Sequence, residues 1–182
     1  MTMSPPLRKF ALTAHLTFSV GWVGTVVAYL ALGVAAVTSQ NTQTVRAAWT
    51  AMELIGWYVI VPLALTSLLT GLVMALATSW GLFRHYWVLF SLVLTVIATA
   101  VLLLHMPTVS SMADIAQEAE GARLDALGGD LFHPGIGLVV LLVIQVLNVY
   151  KPRGMTRYGH RKQEEQRQQR HQRDEQRAAL TP

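Results

Sequence analysis

Two histidines of this chain stand at the ends of membrane-length apolar runs: His105 in VLLLHMP (residues 101–107) and His133 in LFHPGIG (residues 131–137). Glu53 opens a third run, and Met52 and Met106 sit beside these positions. Imidazole and carboxylate suit zinc, copper or iron, and thioether suits Cu(I). Two histidines on facing helices can equally hold a b-type haem from its two axial sides. His105, His133, Glu53 and Met106 are therefore the candidate metal ligands. A plainer reading stands beside this one. His133 precedes Pro134, and proline favours the first turn of a helix. His105 precedes Pro107, which would stop its helix, and Glu53 in a first turn favours the helix dipole.

His15 is the second kind of candidate, because it lies inside an apolar run, where an ionisable group is costly. Trp22 and Tyr29 follow it at spacings of seven, on nearly the same helical face. His15 and Trp22 are the candidate cofactor-binding residues. The competing role for His15 is a hydrogen bond to a Ser, Thr, Gln145 or Asn148 of a neighbouring helix. His85 beside Arg84 reads as a headgroup contact.

The elements that must position these residues follow from hydropathy. The chain has 182 residues, 53% hydrophobic and only 13% charged, too apolar for an ordinary soluble domain. A helix needs about 20 apolar residues to cross roughly 30 Å of hydrocarbon. Four runs qualify, at about residues 10–37, 54–77, 86–105 and 131–150. The first is too long for a signal-peptide core, and Pro62 should bend the second without ending it. The fourth is short, so it must draw Phe132 and His133 toward the hydrocarbon. The expected fold is an all-α integral membrane four-helix bundle in residues 10–150, with a short N-terminus (1–9) and a polar tail (151–182).

Twelve of the fourteen Lys and Arg residues fall on the side shared by the two termini; Arg46 and Arg123 are the exceptions. The positive-inside rule makes both termini cytoplasmic, in a multi-pass membrane protein. Trp49, Trp57, Trp80, Trp87 and Tyr150 fall near span ends, as an aromatic belt would. Of the two outer loops, residues 38–50 are short and polar. Residues 108–130 are acidic, and Met112, Ile115, Ala116, Ala119 and Ala122 repeat at helical spacing after Ser110 or Ser111. That pattern predicts an amphipathic helix on the outer surface, ending at Gly128 and Gly129. The tail carries no apolar stripe and reads as a solvated helix or disordered chain whose basic residues can touch anionic lipid. The net charge of +4 averages over this tail and does not imply nucleic acid. Small residues along spans one and two permit a homodimer without requiring one, and no protein partner is indicated.

The absence of cysteine excludes disulfides, thiolate metal sites and covalent haem attachment. Phosphate loops, G-x-S-x-G elbows, H-E-x-x-H motifs and paired buried carboxylates are all missing, so little points to an enzyme. The stretch AHLTFSVGWVG (residues 14–24), followed by SLLTGLVMA, WGLFRHYWVLFSLVLT and VYKPRGMTRYG, resembles a bacterial family of predicted integral membrane proteins of unknown function. The resemblance covers about residues 7–159. That family is distantly similar to the copper-resistance protein D membrane domain, which implies metal handling at the outer face. The first-span H-x6-W-x-G pattern is also similar to HemJ-type protoporphyrinogen oxidases, which implies haem ligation by His15. That second family places a lysine after a tryptophan in a later span; here WVLFS puts Ser91 there, which argues against protoporphyrinogen oxidation.

The function these readings favour is a redox or metal-handling membrane protein that binds b-type haem or copper through histidines. The alternative is a non-catalytic membrane subunit that recruits partners through its outer helix and its tail. His105 and His133 should approach one another at the outer face, with Glu53 as the nearest carboxylate. Reporter fusions at residue 118 and at the C-terminus should localise to opposite sides of the membrane; both reporters on one side would refute the topology.

Overall fold

A computed structural model of the chain describes residues 3–77, 82–119, 127–152 and 154–180. Among these it is helical, with no strand beyond one isolated backbone bridge between His85 and Met155. The elements are α1 (Pro5–Thr38), α2 (Thr42–Ile55), a π-helical turn (Gly56–Ile60), α3 (Val61–Ala77), α4 (Tyr86–Glu118), α5 (Phe132–Tyr150) and α6 (Arg157–Leu180). Helix α2, the π turn and α3 form one continuous rod. Four rods are thus long and apolar enough to cross a membrane. They form a ring in which α1 packs on α2 and α3, these on α4, α4 on α5, and α5 back on α1. Large apolar side chains such as Phe10, Leu69, Leu104 and Val139 point outward. Such a surface would be an aggregation liability in water and is ordinary against lipid. This is the architecture of a multi-pass membrane protein.

The N-terminal segment, the turn before α4 and the start of the tail meet at one end, here called proximal. Met3 N–H donates to the Ala77 carbonyl, Tyr86 N–H to Gly154, and Thr156 N–H to Arg84. Thr156 also caps α6, its Oγ1 accepting from Gly159 N–H. The rest of α6 is polar on every face, as its sequence anticipates.

At the opposite, distal end the rods have unequal reach. At 1.5 Å per residue, α1 and α4 are each about 50 Å long and α5 only about 28 Å. The rod from Thr42 and the last residues of α4 therefore continue past the start of α5. The main core runs on into this extension, where Val45, Ala48, Trp49 and Met52 of α2 join Ala113 and Ala116 of α4. Three expectations are corrected here. Residues 38–50 are mostly helix, with Asn41 as N-cap: its Oδ1 accepts from Gln43 N–H at 2.9 Å and Thr44 N–H at 3.3 Å. Pro107 does not end the third span, because it lies inside the unbroken α4. The residues read as an outer surface helix, through Glu118, are the continuation of α4, and Ala113 and Ala116 among them are buried in the core that α2 shares. Trp80 of the aromatic belt, and Ala122 and Arg123 of that loop, lie outside the described residues.

The physical reason is packing. A proline within a helix removes one hydrogen bond and crowds the preceding turn, at a cost of about 3 kcal/mol, which tertiary contacts can offset. Here Met106 packs against Gly56, where an added Cβ would stand 2.5 Å from Met106 Cε. Gly56 opens the π turn, which lies just before Pro62, a residue without an N–H to donate. Trp57 Nε1 reaches across to donate to Ser110 Oγ at 2.9 Å.

Arg46 closes the extension. Its Nε and Nη2 donate to the Ala116 and Ala119 carbonyls at 3.1 and 2.8 Å, satisfying the open end of α4. Arg46→Ala should cost about 1.5–3 kcal/mol and speed amide exchange at residues 113–119. Unchanged exchange there would show that the guanidinium is not the cap.

Candidate metal centre

The site lies where α5 begins. The chain reaches it through Gly128, whose positive φ of 58° suits glycine, and Gly129, which passes against the backbone of Gly33 in α1. At Gly33 an added Cβ would stand 2.9 Å from the Asp130 carbonyl oxygen. The absent side chain is what allows residues 129–131 to sink between α1 and α5. The turn then delivers Asp130 into the bundle, where its side chain is only 9% exposed.

Three side chains from three rods converge on that carboxylate. Tyr29 Oη of α1 donates to Oδ2 at 3.0 Å. His105 Nε2 of α4 lies 2.7 Å from the same oxygen. His133 Nδ1 of α5 stands 3.8 Å from Oδ1, beyond hydrogen-bonding range. The two imidazoles stack with centroids 4.0 Å apart and planes 22° from parallel. One potential ligand atom from each of His105, Asp130 and His133 lies within 4.8 Å of the other two. A cavity of about 290 Å³ opens beside them, walled by residues such as Tyr29, Ile60, Leu102 and Val140. Exposure grades outward: Asp130 9%, His105 17%, His133 50%. An ion arriving from the distal side would meet His133 first and the carboxylate last.

The electrostatics favour a cation. A carboxylate with this little solvent needs compensation beyond one hydroxyl. The His105 imidazole at 2.7 Å supplies part of it, and a bound cation would add to it. When Asp130 is ionised, its shared oxygen accepts from both Tyr29 and His105, so the His105 proton sits on Nε2 and a neutral ring keeps its lone pair on Nδ1.

Of the residues singled out from the sequence, His105 and His133 are together. Glu53 is not with them: the carboxylate that meets the imidazoles is Asp130, and Glu53 stays on α2. Met106 lines the cavity, with its thioether turned into the niche at Gly56. His15 lies elsewhere, in a second, proximal cavity of about 410 Å³, with Nδ1 3.1 Å from Thr70 Oγ1. Trp22, 3% exposed, lines both cavities and separates them. The sequence carried one sign of Asp130: it precedes His133 by three residues, at the mouth of the short fourth span. Tyr29 was marked by its heptad spacing from His15 and Trp22.

No family model, curated protein or solved structure matches this chain.

Gly33→Ala should destabilise the protein by about 1–3 kcal/mol, since its Cβ meets backbone that cannot yield cheaply. Gly24→Ala, with open space around the new carbon, should be neutral or gain up to about 1 kcal/mol from helix propensity. Denaturant titration of the two variants in mixed micelles checks the pair; equal effects would contradict the tight approach at Gly33.

Proposed function

We propose that this chain is a metal-handling protein of a bacterial cytoplasmic membrane, with both termini cytoplasmic. In this reading it binds one transition-metal ion, copper or zinc in class, at the extracytoplasmic end of the bundle. The observation that carries it is that His105, Asp130 and His133 each bring a potential ligand atom within 4.8 Å of the other two. Two imidazoles and a carboxylate are a donor set for zinc or Cu(II), and a three-residue set leaves a position for water or a transferred ligand. Tyr29 fits the outer-shell role, because a hydrogen bond to a ligating carboxylate orients it. The graded exposure supports uptake from the distal compartment.

The stacked rings favour a bare ion over a haem at this end. Axial ligation by two histidines puts the whole macrocycle between the imidazoles, and rings 4.0 Å apart leave room for nothing between them. A second reading, that the chain is a non-catalytic subunit, draws on α6. A 24-residue helix that is polar on every face is unlike one built to pack within this fold, and suits contact with a soluble partner.

Calorimetric titration of the purified protein with Zn(II) and Cu(II) tests the metal reading. One ion per chain should bind, and His105→Ala, His133→Ala and Asp130→Asn should each weaken binding by at least about tenfold. Tyr29→Phe, which keeps every ligand and frees the carboxylate, should weaken it by about 10–100-fold. Glu53→Gln should leave it unchanged. An affinity indifferent to all four site variants would refute the site.

A further inference from the structure

The proximal cavity is a different chemical environment from the distal one. Its walls are apolar, yet Ser19, Ser67, Ser91, Thr95, Gln145 and Asn148 all face it along with His15. Most of its hydroxyls are already engaged. Ser19 and Ser67 bond each other at 2.8 Å, and Thr95 Oγ1 donates to the Ser91 carbonyl at 2.7 Å. The Ser91 hydroxyl itself is not. Ser91 is 7% exposed, and its Oγ has no hydrogen-bond partner. A buried, unsatisfied hydroxyl costs about 1–3 kcal/mol, so its presence at a cavity wall asks for a partner.

His15 adds an imidazole, which meets Thr70 and the Ser67 backbone. Thr70 Oγ1 gives its one proton to the Thr66 carbonyl at 2.7 Å, so in the contact with His15 the imidazole is the donor, through Nδ1. In the neutral ring Nε2 then keeps its lone pair. The cavity thus presents a hydroxyl, an imidazole nitrogen and the amides of Gln145 and Asn148. Among its described lining residues only Lys151, at the proximal end of α5, carries a fixed charge. A net-charged ligand would find little compensation at this depth. Leu12, Leu16 and Val149 line the cavity and also lie on the lipid-exposed surface, so a ligand can arrive sideways from the bilayer. The indoles of Trp22 and Trp87 supply walls suited to a planar ring.

We propose that the proximal cavity between α1, α3, α4 and α5 binds the headgroup of a membrane quinone. A quinone is neutral, planar and lipid-borne. Its oxygens accept hydrogen bonds when oxidised and donate them when reduced. The Ser91 hydroxyl and the Gln145 and Asn148 amides can donate to the oxidised ring's carbonyls, and these groups and His15 Nε2 can accept from the reduced ring's hydroxyls.

The test is titration of the full-length protein in lipid nanodiscs with decylubiquinone, followed by quenching of tryptophan fluorescence. Saturable quenching at one molecule per chain is expected. Ser91→Ala should weaken it about tenfold, the loss of one hydrogen bond of roughly 1.4 kcal/mol. The same variant should keep or raise the wild-type thermal midpoint, since the hydroxyl it removes is buried without a partner in the free protein. Gln145→Leu should also weaken binding, and Leu69→Ala, on the lipid face, should not. Quenching that rises linearly without saturation, or equally in wild type and Ser91→Ala, is partition into lipid and overturns the proposal. So does saturable quenching that oleate or haemin abolishes and decylubiquinone cannot restore. The readout needs no metal, so its failure leaves the distal site untouched.

Discussion

One carboxylate organises the distal half of this protein. Asp130 is carried into a bundle whose outer surface is apolar, to a depth at which water cannot solvate it freely. An ionised group so placed must be met by donors or cations. Tyr29 and His105 meet it directly, and His133 stacks on His105 with Nδ1 3.8 Å from its second oxygen. Each comes from a different rod, so the demand of one charge ties α1, α4 and α5 together at a single point. The glycine contact between residues 33 and 129 is the steric condition for it. The same arrangement that solves the stability problem creates a donor set with a preference for cations.

The second organising feature is the face of α1 that carries His15, Trp22 and Tyr29. Seven-residue spacing keeps the three on one side of the helix while moving each about 10.5 Å along the axis. His15 therefore serves the proximal cavity, Tyr29 the distal carboxylate, and Trp22 the wall between them. Hydrogen bonds across α1 and α3, His15 with Thr70 and Ser19 with Ser67, hold this face in register. Contacts of this kind average only about 0.6 kcal/mol in membranes, so they direct the packing more than they supply its strength.

Much of this was legible in the residues. Four apolar runs read as four spans because length and composition decide that question. The shortness of the fourth run read as drawing Phe132 and His133 into the span, and α5 begins at Phe132. The errors share a physical origin: each turned on a tertiary contact. Pro107 reads as a stop by local propensity, and the burial of Met106, Val109 and Ala113 against the rod of α2, the π turn and α3 overrides it. Of the periodic residues after Ser110, Met112, Ile115 and Ala116 lie in α4, and Ala116 is buried in the core that α2 shares, which polar spacing in residues 42–50 had concealed. Glu53 and Asp130 are both acidic residues at span edges. Choosing between them required knowing that Gly33 admits a turn at residues 129–131, a contact about a hundred positions apart in the chain.

The central claim is that His105, Asp130 and His133 act as one ligand set. X-ray absorption at the zinc edge of the protein loaded with one equivalent of zinc tests it most directly. Two imidazoles and a carboxylate oxygen should appear at about 2.0–2.2 Å. A first shell without histidine scattering would contradict the account.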